Sequence, residues 1–391
     1  MFDRPNESAS WPNRRGFLHR SIALGATGLI VPGAVVGREP VAEPEMIVRS
    51  RRPLDAETPV EVFESQITPT RLFFIRSHFG APAVSLIDQW TLAIDGGVKQ
   101  KQAFTLDDLS KFKQVTIPAV LQCSGNGRAY YSPTVPGVGW LKGAVGNAEW
   151  KGVRLAELLD RAGVEPGMAH VHLHTADGPP MPKTPAYLRS IPLDRARLES
   201  TLVATRMSGE PLPTEHGGPI RLVVPGWSGN HWIKWLRTAV VSKDEAPGPF
   251  QQSSYKIPIR PTPPEVVLKP SDLKSVTVMN VKSLIARPMA GMIVRPGRIE
   301  ARGVAWTGGE ATVTRVEIAV GGVWHDAILE GPARPYTWRR WRFAFKTDGP
   351  GAIVLRARAT DSTGDVQPEI SPWNKSGYLW NGYDQVAFEV R

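Results

Sequence analysis

The spacing of apolar side chains changes along this chain of 391 residues. After about residue 310, apolar residues recur at every second position in three runs, which are residues 316–320, 341–345 and 355–359. Glycine-rich breaks flank these runs. Alternation of period two between such breaks is typical of strands with one buried face. We therefore predict a β-sandwich for the last part of the chain.

Shorter apolar runs with little helical repetition occupy residues 70–246. The runs 90–94 and 221–224 predict strands, whereas residues 154–162 carry leucines at helical spacing and predict one short helix. The chain also contains 37 glycines and 36 prolines, which favour many turns over long helices. The expected class is therefore α+β with mainly β structure.

Two proline-bearing segments divide the chain further. Five prolines fall between Pro258 and Pro270, and proline cannot continue through a helix or a central strand. This stretch is predicted to be a stiff linker. Residues 43–70 are polar and are predicted to be an extended lead-in. The resulting division is a targeting segment at 1–42, a catalytic domain at 43–262 and a sandwich domain at 263–391.

The first 42 residues contain the pattern of an export signal. Residues 13–18 read Asn-Arg-Arg-Gly-Phe-Leu, a twin-arginine pattern, and residues 21–37 carry no charge. That stretch is shorter than the roughly 20 apolar residues of a membrane span and is diluted by glycine. We expect a cleaved twin-arginine signal, export of the folded protein to the periplasm and no membrane span in the mature chain. An uncleaved anchor is the alternative.

Charge and cysteine content narrow the function. The formal charge is +10, but the basic residues are scattered and form no nucleic-acid motif, so an anionic substrate, an anionic cofactor or an acidic partner is favoured over nucleic acid. The single cysteine excludes disulfides within the chain, a c-type haem attached through C-x-x-C-H and a cysteine-ligated iron–sulfur cluster.

That cysteine, Cys123, follows an apolar run at 115–121 that is predicted to be a strand. It opens a turn containing Gly125 and Gly127, and Arg128 follows five residues later. Glycines let the backbone approach a bulky group, and a thiolate beside a cation can bind a soft metal. A lone buried cysteine fits the same pattern, and the residues alone leave both interpretations open.

Two further segments suit an anion. Arg76 and His78 lie two apart in a predicted strand, so both side chains point to one face. His216, Arg221 and Lys234 are interleaved with loop glycines, a combination that suits a phosphate or a pterin.

The chain also contains a row of alternating histidines and many tryptophans. Three histidines alternate at positions 170, 172 and 174, but imidazoles on one strand splay side by side, which favours a structural role over a metal site. Most of the 13 tryptophans are expected in the core. Trp140 is the exception, because the glycines around it suggest a ring that faces a cavity.

Taken together and in this order, these segments resemble the sulfite oxidase family of molybdenum-pterin oxidoreductases, especially its exported bacterial sulfite dehydrogenase and sulfur dehydrogenase branch. The resemblance covers about residues 70–391. It implies a molybdopterin-binding catalytic domain followed by an Ig-like β-sandwich dimerisation domain, and hence a homodimer.

The resemblance also implies roles for individual residues. Cys123 is the protein thiolate on molybdenum. The expected cofactor contacts are Phe74, Ile75, Arg76, Ser77, His78, Asp177, His216, Arg221, Trp232, Ile233 and Lys234. The expected catalytic residues around the substrate anion are Arg76, Cys123, Arg128, Trp140 and Tyr187. The sequence departs from the family pattern at Ser77, where asparagine is usual, at Gly127, where many members have arginine, and at Lys375 and Ser376, one of which replaces a further pocket arginine.

The implied reaction is oxidation of sulfite to sulfate, with electrons passed singly to a separate acceptor such as a c-type cytochrome. Two alternatives share the fold: a sulfane-sulfur dehydrogenase component of a thiosulfate-oxidising complex, which residues 226–230 resemble, and a reductase of sulfoxides or other oxyanions. A binding module without catalysis, with Cys123 merely buried, is the alternative from another class.

Overall fold

The computed structural model describes residues 43–83, 89–179 and 181–391. The predicted export signal lies outside the described residues. The strands are β1 Ile47–Arg51, β2 Leu54–Glu57, β3 Thr91–Gly96, β4 Gln102–Thr105, β5 Val115–Gln122, β6 Val145–Arg154, β7 His170–Thr175, β8 Arg189–Pro192, β9 Leu202–Met207, β10 Glu210–Pro211, β11 Arg221–Val223, β12 Leu236–Ser242, β13 Lys256–Pro258, β14 Leu273–Ser275, β15 Lys282–Arg287, β16 Ile293–Val294, β17 Gly297–Trp306, β18 Val313–Val320, β19 Val323–Asp326, β20 Ile328–Leu329, β21 Arg339–Thr347, β22 Gly351–Asp361 and β23 Asp384–Val390.

The helices are short. The α-helices are α1 Leu106–Lys111, α2 Leu155–Ala162, α3 Leu193–Ala196 and α4 Pro249–Gln252, and the 3-10 helices are Val60–Glu64, Thr70–Leu72, Arg128–Tyr130, Thr214–His216, Gly229–His231 and Pro270–Asp272. The mainly β class is therefore confirmed. Within the described residues, no helix has the length and apolar character needed to cross a membrane.

Two five-stranded sheets build the first part of the fold. One has the antiparallel order β10–β9–β6–β5, with β11 also paired to β9. The other has the order β4–β3–β12–β7–β8, in which only β3 and β12 are parallel. The predicted helix is α2, which buries Leu155, Leu158 and Leu159 and ends at Gly163 in the left-handed conformation (φ 70°) that glycine adopts without strain.

The segment 43–70 is more structured than the predicted lead-in. It forms the β1–β2 hairpin and two short 3-10 helices, and Phe63 is fully buried against the edge of Trp338, with ring centroids 5.6 Å apart. Its polar residues can be buried because the fold provides hydrogen-bond partners for them. The Glu57 carboxylate accepts the backbone N–H groups of Leu141 (2.7 Å) and Gly143 (2.8 Å). Burial of such groups is stable only when they are hydrogen-bonded in this way.

The last part of the chain is the predicted β-sandwich. A four-stranded sheet of order β15–β17–β21–β20 faces a five-stranded sheet of order β16–β23–β22–β18–β19. The alternating residues of the three runs fill the space between them, as Ile318, Trp341 and Ala357 illustrate with exposures of 0–1%. The alternation predicted this packing because each strand has one buried face.

The predicted linker is a loop tied at both ends. Strand β13 pairs antiparallel with β14, with Pro258 opposite Leu273. Part of the outer face of β15 and β17 is covered as well, because Leu284 and Trp306 share an apolar cluster with Phe63 and Val120. Residues 44–391 consequently form one compact unit.

Candidate functional site

Strand β5 ends at Gln122 and delivers Cys123 into a tightly bonded turn. The Cys123 N–H donates to the Ala144 carbonyl (2.9 Å), and the Cys123 carbonyl accepts from the Asn126 N–H (2.9 Å). Burial raises the pKa of the Cys123 thiol, while the charges of Arg76 and Arg128 oppose that rise. A soft cation would complete this site, because it binds the thiolate and removes the burial penalty on its charge.

Cys123 lines a cavity that is open to solvent and has about 700 Å³ of empty space when the solvent at its mouth is included. Eleven of the predicted site residues line it: Phe74, Arg76, Ser77, His78, Cys123, Asp177, Tyr187, His216, Arg221, Trp232 and Lys234. The other lining residues are Leu121, Ser124, Thr175, Glu215, Gly229, Asn230, Trp235 and Tyr255.

The segment that carries Arg76 and His78 is not a regular strand. In this segment only Ile75 forms a β-bridge, through two 2.9 Å backbone hydrogen bonds with Ala56. Ile75 was expected to contact the cofactor, but its side chain does not line the cavity. The Arg76 guanidinium donates to the Asp55 carboxylate (3.3 Å) and to the Ser77 carbonyl. Burial raises the pKa of Asp55, and the charge of Arg76 offsets part of that rise. The β1–β2 hairpin therefore fixes the arginine at the cavity.

An aromatic wall stands beside Arg76. The His78 ring stacks on Tyr187 with centroids 4.3 Å apart, and its Nε2 lies 2.8 Å from the Tyr255 hydroxyl. Burial, with the charges of Arg76 and Lys234, holds the pKa of His78 well below its usual range. The imidazole is thus neutral, so Nε2 accepts a hydrogen bond from the Tyr255 hydroxyl in one tautomer.

A second group of cations lies around the loop after Thr214–His216. The Arg221 guanidinium donates to the carbonyls of His216 (2.8 Å) and Trp232 (2.9 Å), and burial lowers its pKa to about 9. The Lys234 ammonium donates to the Ser77 hydroxyl (2.6 Å). Burial and the nearby Arg221 charge lower the pKa of Lys234 to about 7. Burial also lowers the pKa of His216 to about 3.

Among the described residues that line this cavity, two buried polar atoms have no partner in the protein, Arg221 Nε and Asp177 Oδ1. Burial raises the pKa of Asp177 to about 6. Cations whose pKa is lowered by burial are stabilised most by a bound anion. A carboxyl group, protonated or ionised, can form hydrogen bonds with the nitrogen groups of a ring. The donor set therefore fits an anionic pterin, with its phosphate near Arg221 and Lys234 and its soft metal at Cys123.

Three further predicted residues do not line the cavity. Ile233 (2% exposed) and Trp140 (0%) belong to the apolar core. The prediction that the Trp140 ring faces a cavity is wrong, because the loop folds back through a bond from the Trp140 N–H to the Val138 carbonyl (2.8 Å) and the ring packs inward. The Arg128 guanidinium donates to the carbonyls of Ser376 (3.1 Å) and Val138 (3.2 Å) and lies over Tyr378, close enough to act on Cys123 by charge but not at the cavity surface.

The glycine at position 127 has a steric explanation. Its φ is +87°, and a Cβ there would come within 2.6 Å of the Trp380 ring. The Trp380 ring therefore occupies the space that the Cβ of any larger residue at position 127 would need. An arginine at this position, as the family pattern has it, does not fit here.

The histidine row lies on β7, as predicted. His172 Nε2 is 2.7 Å from the Asp244 carbonyl, and no cluster of three metal-ligating side chains occurs among the residues that the structure describes. The structural interpretation of this row is the one that the geometry favours.

The comparisons with known proteins agree with this site. Residues 78–250 match the oxidoreductase molybdopterin binding domain family, and residues 273–391 match the Mo-co oxidoreductase dimerisation domain family. Mitochondrial sulfite oxidase of Mus musculus is 33% identical over 368 residues, which are 90% of this chain and 67% of that protein. Sulfite oxidase of Arabidopsis thaliana is 30% identical over 381 residues, 90% of this chain and 96% of that protein.

A solved structure leads to the same family. The sulfane dehydrogenase SoxCD from Paracoccus pantotrophus superposes with a TM-score of 0.75 at 29% identity, covering 90% of this chain and 92% of that chain. Its likeness extends over both the cavity and the sandwich. The chain belongs to the sulfite oxidase family, and it is an oxidoreductase whose cofactor is molybdenum bound to molybdopterin.

Proposed function

We propose that the protein oxidises sulfite to sulfate and passes the electrons to a separate acceptor. The observation that carries the proposal is the cavity itself, where Cys123 stands among Arg76, Lys234 and the neutral His78. A small dianion gains most from such surroundings. Oxidation of sulfite by water yields sulfate, two protons and two electrons, and the bound cofactor supplies the redox chemistry.

The side chains of the chain divide the remaining work. Cys123 binds the metal, and its sulfur is a soft ligand. His216, Arg221 and Lys234 hold the phosphate end of the cofactor, with Asp177 against its ring nitrogens. Arg76 is fixed by Asp55 and binds the substrate anion.

Tyr255 is the second contact for that anion. Its hydroxyl donates to His78 Nε2 in the free site and turns its proton to an anion oxygen when substrate binds.

The remaining parts of the proposal concern the setting of the enzyme. Residues 273–391 form a homodimer through the sandwich, in keeping with the family that they match. The twin-arginine pattern at residues 13–18 directs the folded protein to the periplasm. There a c-type cytochrome takes the electrons one at a time.

A second candidate is a sulfane-sulfur dehydrogenase. The Ser228 hydroxyl is 2.7 Å from the hydroxyl of Ser124, and Asn230 Oδ1 accepts from the same hydroxyl at 3.1 Å, so residues 226–230 brace the turn that carries Cys123. This segment resembles the sulfur-dehydrogenase branch, and the SoxCD likeness supports the same candidate.

Steady-state assays separate the two. Protein from a molybdenum-competent host is mixed with oxidised cytochrome c and either sulfite or a protein-bound sulfane sulfur. Reduction with sulfite alone is the expected result. Reduction only with the sulfane sulfur would replace the first candidate by the second.

A further inference from the structure

A buried arginine lies behind the aromatic wall of the cavity. Arg189 is the first residue of β8 and is 1% exposed. Its guanidinium donates to the Phe250 carbonyl and lies 5.3 Å from the Tyr255 ring centroid. Phe250 in turn packs against Tyr187 and His78, with centroids 5.0 and 5.3 Å apart. One side chain therefore supports three residues of the wall.

The third contact of Arg189 is the ring of His231. Its Nη2 is 3.1 Å from His231 Nε2, which also lies 3.0 Å from the Val276 carbonyl. Nε2 cannot accept from the guanidinium and donate to the carbonyl at once. Burial holds the pKa of His231 well below its usual range, so the imidazole is neutral in either tautomer.

No carboxylate among the described residues is hydrogen-bonded to Arg189, and the charge of Glu245 acts on its guanidinium only through space. Its partners in the described part of the chain are a carbonyl, a neutral imidazole and an aromatic ring, and its Nε is buried without a partner. That charge reaches the cavity, since it adds to the lowering of the His78 pKa by burial and opposes the rise that burial causes in the pKa of Tyr187. A buried cation without a carboxylate is costly unless an anion compensates it.

We propose that Arg189 is a positioning residue that holds Tyr255 at the cavity wall and supplies a permanent charge favouring divalent over monovalent anions. The inference rests on the proposed function, because it takes the cavity to bind a sulfur oxyanion. Coulomb energy scales with the charge of the ligand. For two anions bound at the same place, the free energy lost with Arg189 is therefore twice as large for a dianion as for a monoanion. The factor by which the dissociation constant rises for the dianion is the square of the factor for the monoanion.

The test uses the molybdenum-loaded protein and titration calorimetry with sulfate and with chloride. In Arg189→Met, the dissociation constant for sulfate rises at least about tenfold and that for chloride about threefold. Arg189→Lys keeps the charge and binds sulfate within about threefold of the unchanged protein. In sulfite turnover the loss in Arg189→Met appears in KM rather than in kcat.

Arg195→Met is the matched control. The Arg195 guanidinium likewise donates to a backbone carbonyl, that of Pro225, and lies 5.1 Å from the centroid of an aromatic ring, that of Trp227. Its Nε is also buried without a partner. It does not support the cavity wall, so both anions bind its variant normally.

Three outcomes overturn the inference: equal weakening of sulfate and chloride, unchanged binding in folded Arg189→Met, or sulfate binding as weak in Arg189→Lys as in the neutral variant. If Arg189→Met does not fold, Arg189→Gln replaces it and the lysine variant is judged by the same ratio. An unchanged protein that binds sulfate selectively without oxidising sulfite overturns the proposed substrate alone.

Discussion

Two groups of positive side chains in this protein have opposite surroundings. On the outer face of the sandwich, Arg302 and Arg342 are 54% and 41% exposed and pair with glutamates; the Arg302–Glu300 contact is 2.6 Å, and this pairing raises the pKa of Arg302. At the cavity, Arg221 and Lys234 bond carbonyls and a hydroxyl instead, and burial lowers their pKa values. Exposed pairs are internally neutral, whereas unpaired buried cations keep their attraction for an anion from outside.

The largest effect is expected at the metal. In Cys123→Ser, sulfite turnover is abolished, because an oxygen ligand does not reproduce the soft thiolate. The turn is held by backbone bonds to Ala144 and Asn126, so the fold and its melting temperature remain. Residual turnover within tenfold of the unchanged protein would remove Cys123 from the metal.

Arg221→Met should empty much of the cofactor site. The variant loses a buried cation between the rings of Trp150 and Trp232 and the donors to two carbonyls. We expect molybdenum content to fall by at least about tenfold and stability by about 1–3 kcal/mol. Metal analysis with thermal melting measures both, and full occupancy would contradict the phosphate-binding role.

Arg128 provides an intermediate case. Arg128→Gln removes a charge that acts on Cys123 without lining the cavity. The charge acts on the Cys123 thiolate through space and not through a hydrogen bond to the substrate, so kcat/KM for sulfite should fall by about threefold with molybdenum retained. If kinetics stay normal while the melting temperature falls, Arg128 only holds the loop at Ser376.

Lys282 is a buried cation that lies outside the cavity. It is 1% exposed, its amine has no hydrogen-bond partner, and it lies 4.6 Å from the Trp380 ring centroid; burial lowers its pKa to about 7. The unfolded value is about 10.4, so between pH 10 and 7 the unfolded chain binds the additional proton and stability falls as pH is lowered.

Lys282→Met should therefore be more stable than the unchanged protein by about 1–4 kcal/mol near pH 7. Its stability should also lose the slope that this lysine causes between pH 7 and 10. Urea unfolding at several pH values measures both effects. Destabilisation at pH 7 would mean that the rings of Trp380 and Trp306, whose centroids lie 4.6 and 5.8 Å from the amine, compensate the buried charge.

The smallest effect is expected on the sandwich. Arg342→Gln removes contacts of 3.6 Å to Glu330 and 3.9 Å to Glu300. Exposed pairs of this kind contribute about 0.2–1 kcal/mol, and salt screens them. The loss should vanish at about 1 M salt, and sulfite kinetics should not change.

The sandwich and the cysteine turn were predictable because each depends on local pattern. Alternation in residues 355–359 matches one buried face of β22, and the apolar run before Cys123 ends where β5 ends. The β1–β2 hairpin was missed because its buried carboxylates find partners only in the folded chain, as Asp55 finds Arg76.

The aromatic wall was equally hidden from the sequence. Tyr255 sits among polar residues with no periodicity, and only the packing of β13 and α4 near His78 brings it to the cavity. The error at Trp140 has the opposite cause. Flanking glycines indicate space for the backbone but do not say which way a ring turns.

We propose that Cys123 and the unpaired cations of one cavity bind molybdenum with its pterin and act on sulfite. The most direct measurement is the molybdenum content per chain of protein from a competent host, followed by sulfite-dependent cytochrome c reduction by the same sample. We expect about one molybdenum per chain and turnover that scales with occupancy. Folded protein that lacks molybdenum, or fully loaded protein that does not respond to sulfite, would contradict it.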